Sequence, residues 1–235
     1  MKGARRNWSE ARVVPQTSGF AVHLDSSPLR LPSAQVLVLA RQDLAEAIAA
    51  EWMSQSEGEP IGRDDIPLTR LAGTAQERIA PDPRPTRAAL AAYGRSDLLC
   101  YRAAEPEALI RREEALWQPW LDWAAEELGA PLRVTRGVMP VRQEPESLAA
   151  LDRALERTDV PALAALGVAV PALGSLVLGL ALAAERLSAA TALAAAFADE
   201  IFQARVWGED QVAVARRGAI GAEVLLAERY LALAR

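Results

Sequence analysis

Residues 160–184, VPALAALGVAVPALGSLVLGLALAA, form a run of 25 residues without a charged side chain. This run constrains the fold because it must leave water, either in a protein core or in a lipid bilayer. Gly167, Pro171 and Gly174 interrupt it, and proline suits the first turn of a helix better than its interior. The pattern predicts two buried helices that divide near Gly167, the second starting at Pro171. A single membrane span is the alternative, since the run is long enough to cross a bilayer.

The composition excludes several classes of protein. Hydrophobic residues make up 51% of the chain, which is enough for a sizeable core. The net charge of −5 argues against nucleic acid as a partner, because that role needs a clustered basic surface. A single cysteine rules out an intramolecular disulfide and fits a reducing compartment. The basic N-terminus lacks the apolar stretch of a secretory signal and is not a long Arg- and Ser-rich transit segment. We therefore expect a bacterial cytoplasm, or the mitochondrial matrix if the source is an organelle.

The first part of the chain has the periodicity of short strands. Phe20, Val22 and Leu24 alternate with their neighbours in residues 19–24, as in a half-buried strand. Residues 35–39 predict a further strand, after a turn cluster rich in serine and proline.

The period then changes to that of helices. Leu44, Ile48 and Trp52 fall four residues apart on one helical face, and Thr69 is a candidate N-cap of the next helix. Three prolines in residues 80–86 indicate a linker, beyond which the pattern is almost wholly helical.

These patterns predict an α+β fold class with two domains. A small N-terminal α+β domain with short strands covers residues 1–82, and a larger all-α helical domain covers residues 83–235. We find no internal repeat.

Three of the six tryptophans lie in one segment, LWQPWLDWAAEELG. Trp117, Trp120 and Trp123 fall on one stripe of an amphipathic helix that we expect to start at Pro119 and to end at Gly129. The stripe carries no converging polar groups, so core or interface packing is the favoured interpretation.

The last two predicted helices cover residues 188–206 and 210–234, with Ser188 and Asp210 as N-caps and Gly208 as a stop. Apolar residues spread around most of the first of these helices, which predicts that it is largely buried. Its one open edge is polar and aromatic, a combination common at protein interfaces. We therefore predict a partner-binding stripe of Asp199, Glu200, Gln203 and Trp207, with Glu209 and Asp210 at the helix end.

The sequence offers little for catalysis. His23 is the only histidine and Cys100 the only cysteine, so a catalytic triad or a zinc site has almost no residues to use. The glycine-rich loops that bind nucleotide phosphates are missing as well. We expect no cofactor, no metal and no enzymatic activity. The acidic residues of the stripe leave a carboxylate-dependent hydrolase as a weaker alternative.

Several segments occur in an order that resembles a known family. They are IAAEWMSQ, IPLTRLAGTA, SDLLCYRA, LWQPWLDWAAEELG with TRGVMPVRQ, and GSLVLGLA with DEIFQARVWGED. Together they resemble the Atp-twelve family of assembly chaperones for the soluble catalytic head of F-type ATP synthase, across roughly residues 19–217.

The resemblance implies a function and a partner. It implies a soluble, monomeric chaperone that binds the unassembled α subunit of the catalytic head and prevents its aggregation until a β subunit takes the same surface. It also points to the acidic segment around Trp207 as the functional region. A membrane-associated helical protein using residues 160–184 is the alternative from a different class.

Overall fold

The computed structural model describes residues 5–137 and 139–235, so residues 1–4 of the basic N-terminus and Val138 of the TRGVMPVRQ segment lie outside the described residues. The chain forms two compact units. The first contains the chain up to Pro83, with Val160–Ala165 and Arg229–Arg235, and the second contains Arg84–Asp159 and Leu166–Glu228. The domain limits at residues 1–82 and 83–235 stay a prediction.

Short strands near the N-terminus precede a helical region, which confirms the predicted α+β class. The strands are β1 (Ala11–Gln16), β2 (Gly19–Leu24), β3 (Ser27–Pro28), β4 (Val38–Leu39), β5 (Tyr101–Arg102) and β6 (Thr135–Arg136). The α-helices are α1 (Gln42–Met53), α2 (Pro67–Thr74), α3 (Arg84–Ala91), α4 (Glu107–Leu128), α5 (Pro145–Arg157), α6 (Val160–Leu173), α7 (Leu176–Ala183), α8 (Ala189–Ala196), α9 (Ala198–Trp207) and α10 (Gln211–Ala234).

The first unit is built on a β-hairpin. β1 and β2 pair antiparallel through a turn of two residues, and β2 also pairs with β3 and β4. Gly19 starts β2 at φ +139°, and a Cβ there would lie 2.2 Å from the Leu39 carbonyl oxygen, so only glycine fits. The predicted strand at residues 19–24 is confirmed, residues 35–39 contribute only β4, and β1 was not predicted.

A carboxylate on α1 holds the start of α2. Glu51 accepts hydrogen bonds from the backbone N–H groups of Leu68 and Thr69 and from the Thr69 hydroxyl, at 2.6–2.9 Å. Trp52 donates its indole N–H to the same hydroxyl at 2.9 Å. Thr69 therefore lies inside α2, which begins at Pro67, and its predicted N-cap role was wrong because Glu51 supplies the cap from another helix.

The uncharged run forms two helices, as predicted, but the break lies elsewhere. α6 continues through Gly167 and Pro171, both exposed, and ends before Gly174 at φ +65°. Pro171 is tolerated because the carbonyl that loses its partner faces solvent. Ser175 then caps α7 by accepting the Leu178 N–H at 3.0 Å. In the described part of the chain, no helix has the length and apolar character needed to cross a membrane.

Asp97 fixes this break. Its side chain is completely buried and accepts the backbone N–H groups of Leu99 at 3.1 Å and Val177 at 3.0 Å. The Gly174 carbonyl accepts the N–H of Leu98 at 3.1 Å. Burial raises the pKa of Asp97, and its hydrogen bonds, including one with Ser175, oppose that rise. The break therefore sits where Asp97 can satisfy the first N–H groups of α7.

Alanine substitutions at the two glycines should have opposite effects on stability. Gly174→Ala should lower the free energy of unfolding by about 1–2 kcal/mol, because its left-handed backbone is strained with a Cβ. Gly167→Ala should raise it by about 0.5–1 kcal/mol, because alanine favours a helix and open space surrounds the new Cβ. Urea unfolding of both variants measures this pair, and the reverse order would place the break at Gly167.

Candidate functional site

The helix that packs against α9, where the partner-binding stripe was predicted, is α4. It runs unbroken from Glu107 to Leu128. Pro119 lies inside it on an exposed position, so the predicted helix start at Pro119 was wrong. Gly129 ends it in a left-handed conformation at φ 69°, as predicted.

Trp117 is the buried member of the tryptophan stripe, with 2% of its surface exposed. Its indole N–H donates to the Ala195 carbonyl at 2.8 Å, and the Arg102 guanidinium lies over its ring, 5.2 Å from the centroid. Trp120 and Trp123 are only half-buried. The packing interpretation therefore holds for Trp117 and in part for its two neighbours.

The Trp117 hydrogen bond anchors the end of α8, and the chain bends directly after it. Phe197 is buried and leaves helical geometry, with ψ 19°, so α8 and α9 are separate helices where one was predicted over residues 188–206. Ser188 caps α8 as predicted, accepting the Thr191 N–H at 3.2 Å.

The prediction that this last helix is largely buried was wrong for α9. It packs against α4, and Ala198 is its only fully buried residue. Val206 is 57% exposed and Trp207 77% exposed. The apolar residues of α9 point around its whole circumference, and burial would need neighbours on every side.

The turn after α9 gathers exposed apolar side chains. Gly208 ends the helix and, after two more residues, α10 begins. Val212, in its first turn, is 76% exposed. Val206, Trp207 and Val212 are thus three exposed apolar side chains within seven residues around this turn, and we call them the α9–α10 corner. Sequence periodicity missed Val206 and Val212, because exposure depends on which helices are near.

Predicted acidic residues flank this corner. Asp199 is exposed and accepts the side-chain amide of Gln203 at 2.9 Å, one turn along α9. Glu200 forms an ion pair with Arg216 of α10, at 2.6 Å between Oε1 and Nη2. Its other oxygen lies 3.8 Å from Arg217 Nη1.

The remaining acids stand at the turn. Glu209 lies 3.4 Å from the Arg217 guanidinium, and Asp210 caps α10, as predicted, by accepting the N–H groups of Val212 and Ala213 at 3.3 and 3.2 Å. Arg217 thus lies within ion-pair distance of carboxylates on both sides of the turn. Nothing in the sequence pattern signals this pairing, because Glu200 and Glu209 lie 17 and 8 residues before Arg217, on α9 and in the turn.

One further acidic residue, Glu113 of α4, interacts electrostatically with the predicted partner-binding stripe. Glu113 is buried and accepts the Ala103 N–H at 2.7 Å. Burial raises its pKa, the negative charge of Asp199 raises it further, and Arg102 opposes both. The Asp199 end of the stripe is therefore electrostatically coupled to the buried face of α4.

Cys100 and His23 were the side chains considered for catalysis. Cys100 is buried, and burial raises the pKa of its thiol to about 12. His23 lies in β2 opposite Arg12 of β1. Within residues 5–137 and 139–235, no group of three or more His, Cys, Asp or Glu residues is placed to hold a metal ion.

Comparison with known proteins decides the family. The family model described as ATP12 chaperone protein matches residues 5–125. The crystal structure of Atp12 from Paracoccus denitrificans is similar with a TM-score of 0.92 and 44% identity, over 99% of each chain. The chain belongs to the ATP12 chaperone family. This is the family of ATP synthase assembly chaperones that the sequence resembles, so that prediction is confirmed.

Two further solved structures are similar to this ATP12 family member. One is an aspartate-to-lysine mutant of the Paracoccus denitrificans protein, with a TM-score of 0.92, 43% identity, and 99% and 98% of the two chains covered. The other is a candidate chaperone from Agrobacterium tumefaciens, with a TM-score of 0.91, 36% identity, and 98% and 86% covered.

In this ATP12 family member, Trp117 should contribute far more to stability than Trp207. Trp117→Ala should lower the free energy of unfolding by about 3–5 kcal/mol, because it leaves a cavity and removes the buried hydrogen bond to the Ala195 carbonyl. Trp207→Ala should change it by less than about 0.5 kcal/mol, because the indole is exposed. Urea denaturation of both proteins measures the difference, and equal losses would contradict the assigned burial.

Cys100 should be unreactive in the folded chaperone. With a pKa of about 12, only about one thiol in ten thousand is ionised at pH 8, and the thiolate is the reactive form. Iodoacetamide at pH 8 should label the folded protein at least 100-fold more slowly than the protein in guanidinium chloride. Rapid labelling without denaturant would show that the thiol is accessible and not shielded by packing.

Proposed function

We propose that this chaperone binds the unassembled α subunit of the ATP synthase catalytic head and prevents its aggregation until a β subunit takes the same surface. Family membership supports a partner that is an ATP synthase subunit. The observation that carries the proposal is the α9–α10 corner, where Val206, Trp207 and Val212 are exposed beside a row of acidic residues. An apolar patch with a charged rim is typical of protein interaction sites.

The corner suits a client that must later be released. An unassembled subunit exposes apolar surface that would otherwise aggregate. Trp207 offers a large, exposed aromatic anchor, and tryptophan is among the residues that contribute most to binding energy at interfaces. The acidic rim would meet basic side chains of the client and favour correct orientation more than raw affinity.

The internal ion pairs divide the acidic stripe into two groups. Glu200 and Glu209 already face Arg216 and Arg217, so a client cation would compete with residues of this chain. Asp199 instead accepts a hydrogen bond from the side-chain amide of Gln203 in its own helix. The six residues predicted from sequence remain the proposed contact surface, and Asp199 and Trp207, which are both exposed, are the residues that test it.

The remaining parts of the proposal follow from the same role. Holding a client needs no cofactor and no catalytic group, so we propose a binding protein without enzymatic activity that acts as a monomer. The solved relatives come from bacteria, which supports a bacterial cytoplasm as the compartment.

Trp207→Ser and Asp199→Lys should weaken α-subunit binding without unfolding the chaperone. Trp207→Ser should lower the affinity about 30-fold, corresponding to about 2 kcal/mol, because it removes the aromatic anchor. Asp199→Lys should have a similar effect through charge repulsion. Each should cost less than about 1 kcal/mol of stability. The affinity for purified α subunit and the light scattering of that subunit on dilution from denaturant measure binding and protection.

Two matched variants control for loss of an exposed apolar or acidic side chain elsewhere. Leu225→Ser changes an exposed leucine on α10, about 20 Å along the helix from Val212. Glu126→Lys reverses an exposed acid on α4, about 20 Å along that helix from Glu113. Both variants should prevent aggregation of the α subunit as well as the wild type does. Full protection by the Trp207 and Asp199 variants would place the contact surface elsewhere, and a wild type that does not protect would contradict the proposed function.

A further inference from the structure

The edge of β1 that faces away from β2, in the first unit, carries backbone N–H and carbonyl groups that can form hydrogen bonds. Asp25 donates its backbone N–H to the Glu10 carbonyl at 2.9 Å, and Gln16 pairs with Gly19 at the hairpin turn. Hydrogen-bonded and non-hydrogen-bonded pairs alternate along an antiparallel ladder. The even-numbered residues of β1 therefore direct their backbone groups to β2, and the odd-numbered residues direct theirs away from it.

The odd-numbered residues are Ala11, Val13 and Pro15. In the described part of the chain, no strand pairs with this side of β1. Pro15 has no N–H to offer, as is usual for proline in an edge strand. Ala11 and Val13 each keep one N–H and one carbonyl directed outward. The free edge can therefore pair with only a short extended segment, in a register that Pro15 limits.

A groove of about 550 Å³ lies between this strand and α1. The side chains of Ala11, Val13, Pro15 and Phe20 form its strand side. Its helix side is the face of α1 that carries Gln42, Glu46, Ala49, Ala50 and Met53. An edge strand beside a helix is the arrangement in which extended peptides add to a sheet, with alternate side chains entering the groove.

The charge of the groove restricts what can occupy it. Glu46 is the one charged side chain among the described residues that line it, and it is exposed. Its carboxylate accepts the Gln42 amide at 2.7 Å, which does not neutralise it. An occupant that places Lys or Arg against Glu46 matches this charge.

We propose that this groove binds an extended peptide segment of a partner protein, by strand addition to β1. The segment has apolar side chains at alternate positions and a Lys or Arg that pairs with Glu46. Its main chain exchanges hydrogen bonds with Ala11 and Val13. The site is separate from the α9–α10 corner, so it stands or falls independently of α-subunit binding there.

Selection from a random 12-residue peptide phage library on the full-length protein tests the proposal. We expect enrichment of alternating apolar residues with one basic residue. A synthetic peptide of the enriched sequence should slow amide hydrogen exchange at Ala11 and Val13. Val13→Pro removes an outward N–H and should weaken this peptide about tenfold. Glu46→Lys should shift selection from basic to acidic peptides.

Two further variants keep the test decisive. Ala50 is exposed on α1 and lies outside β1, and Ala50→Arg should block binding by filling the groove. Val14→Thr changes a residue whose backbone faces β2 and should bind like the wild type. The proposal would be overturned if no peptide is enriched. It would also be overturned if the Val13→Pro and Ala50→Arg variants, with unchanged melting temperatures, bind the peptide as tightly as the wild type. Dimerisation of the wild type that Val13→Pro abolishes would make a second copy the occupant and also overturn it.

Discussion

The second unit depends on one buried carboxylate, Asp97. Burying an unpaired charge costs several kcal/mol, so its position is permitted only where donors converge on it. The donors are backbone N–H groups of the turn after Asp97 and of the first turn of α7. The same contact satisfies N–H groups that a helix start would otherwise leave unpaired. Asp97 therefore sets where the uncharged run ends one helix and begins the next, and how α7 enters the core.

The α9–α10 corner of this unit is exposed to solvent, in contrast to the buried surroundings of Asp97. α9 follows the Trp117 contact with Ala195, packs against α4 along one side, and is exposed from Arg205 to its end at Trp207. Surface ion pairs are worth little individually, but Arg217 lies within ion-pair distance of carboxylates before and after Gly208 and so links α10 to both sides of the turn. The result is an exposed apolar corner on a defined backbone. Such a surface can bind without first paying the entropy of ordering a loop.

The resemblance and the local patterns predicted much of the fold, including its class, the strand at residues 19–24, and the caps at Ser188 and Asp210. They failed where a residue distant in sequence decided the outcome. Thr69 was predicted to be an N-cap, but Glu51 of another helix accepts the N–H groups at the start of α2. Pro119 and Pro171 were predicted to start helices, but both lie at exposed positions inside helices. The acidic stripe was predicted as the one open edge of a largely buried helix, whereas the structure also exposes Val206, which was expected to be buried.

The sequence by itself determined the features that act within one or two turns. Helical periodicity, capping side chains and the left-handed glycines at 129 and 208 depend on neighbours that are close along the chain. Only the tertiary structure decided the break at Gly174, which Asp97 fixes from 80 residues before Val177, and the pairing of Glu200 with Arg216, 16 residues apart. These contacts join separate helices, and a helix's own pattern specifies that a face is apolar or acidic without specifying what, if anything, will lie against it.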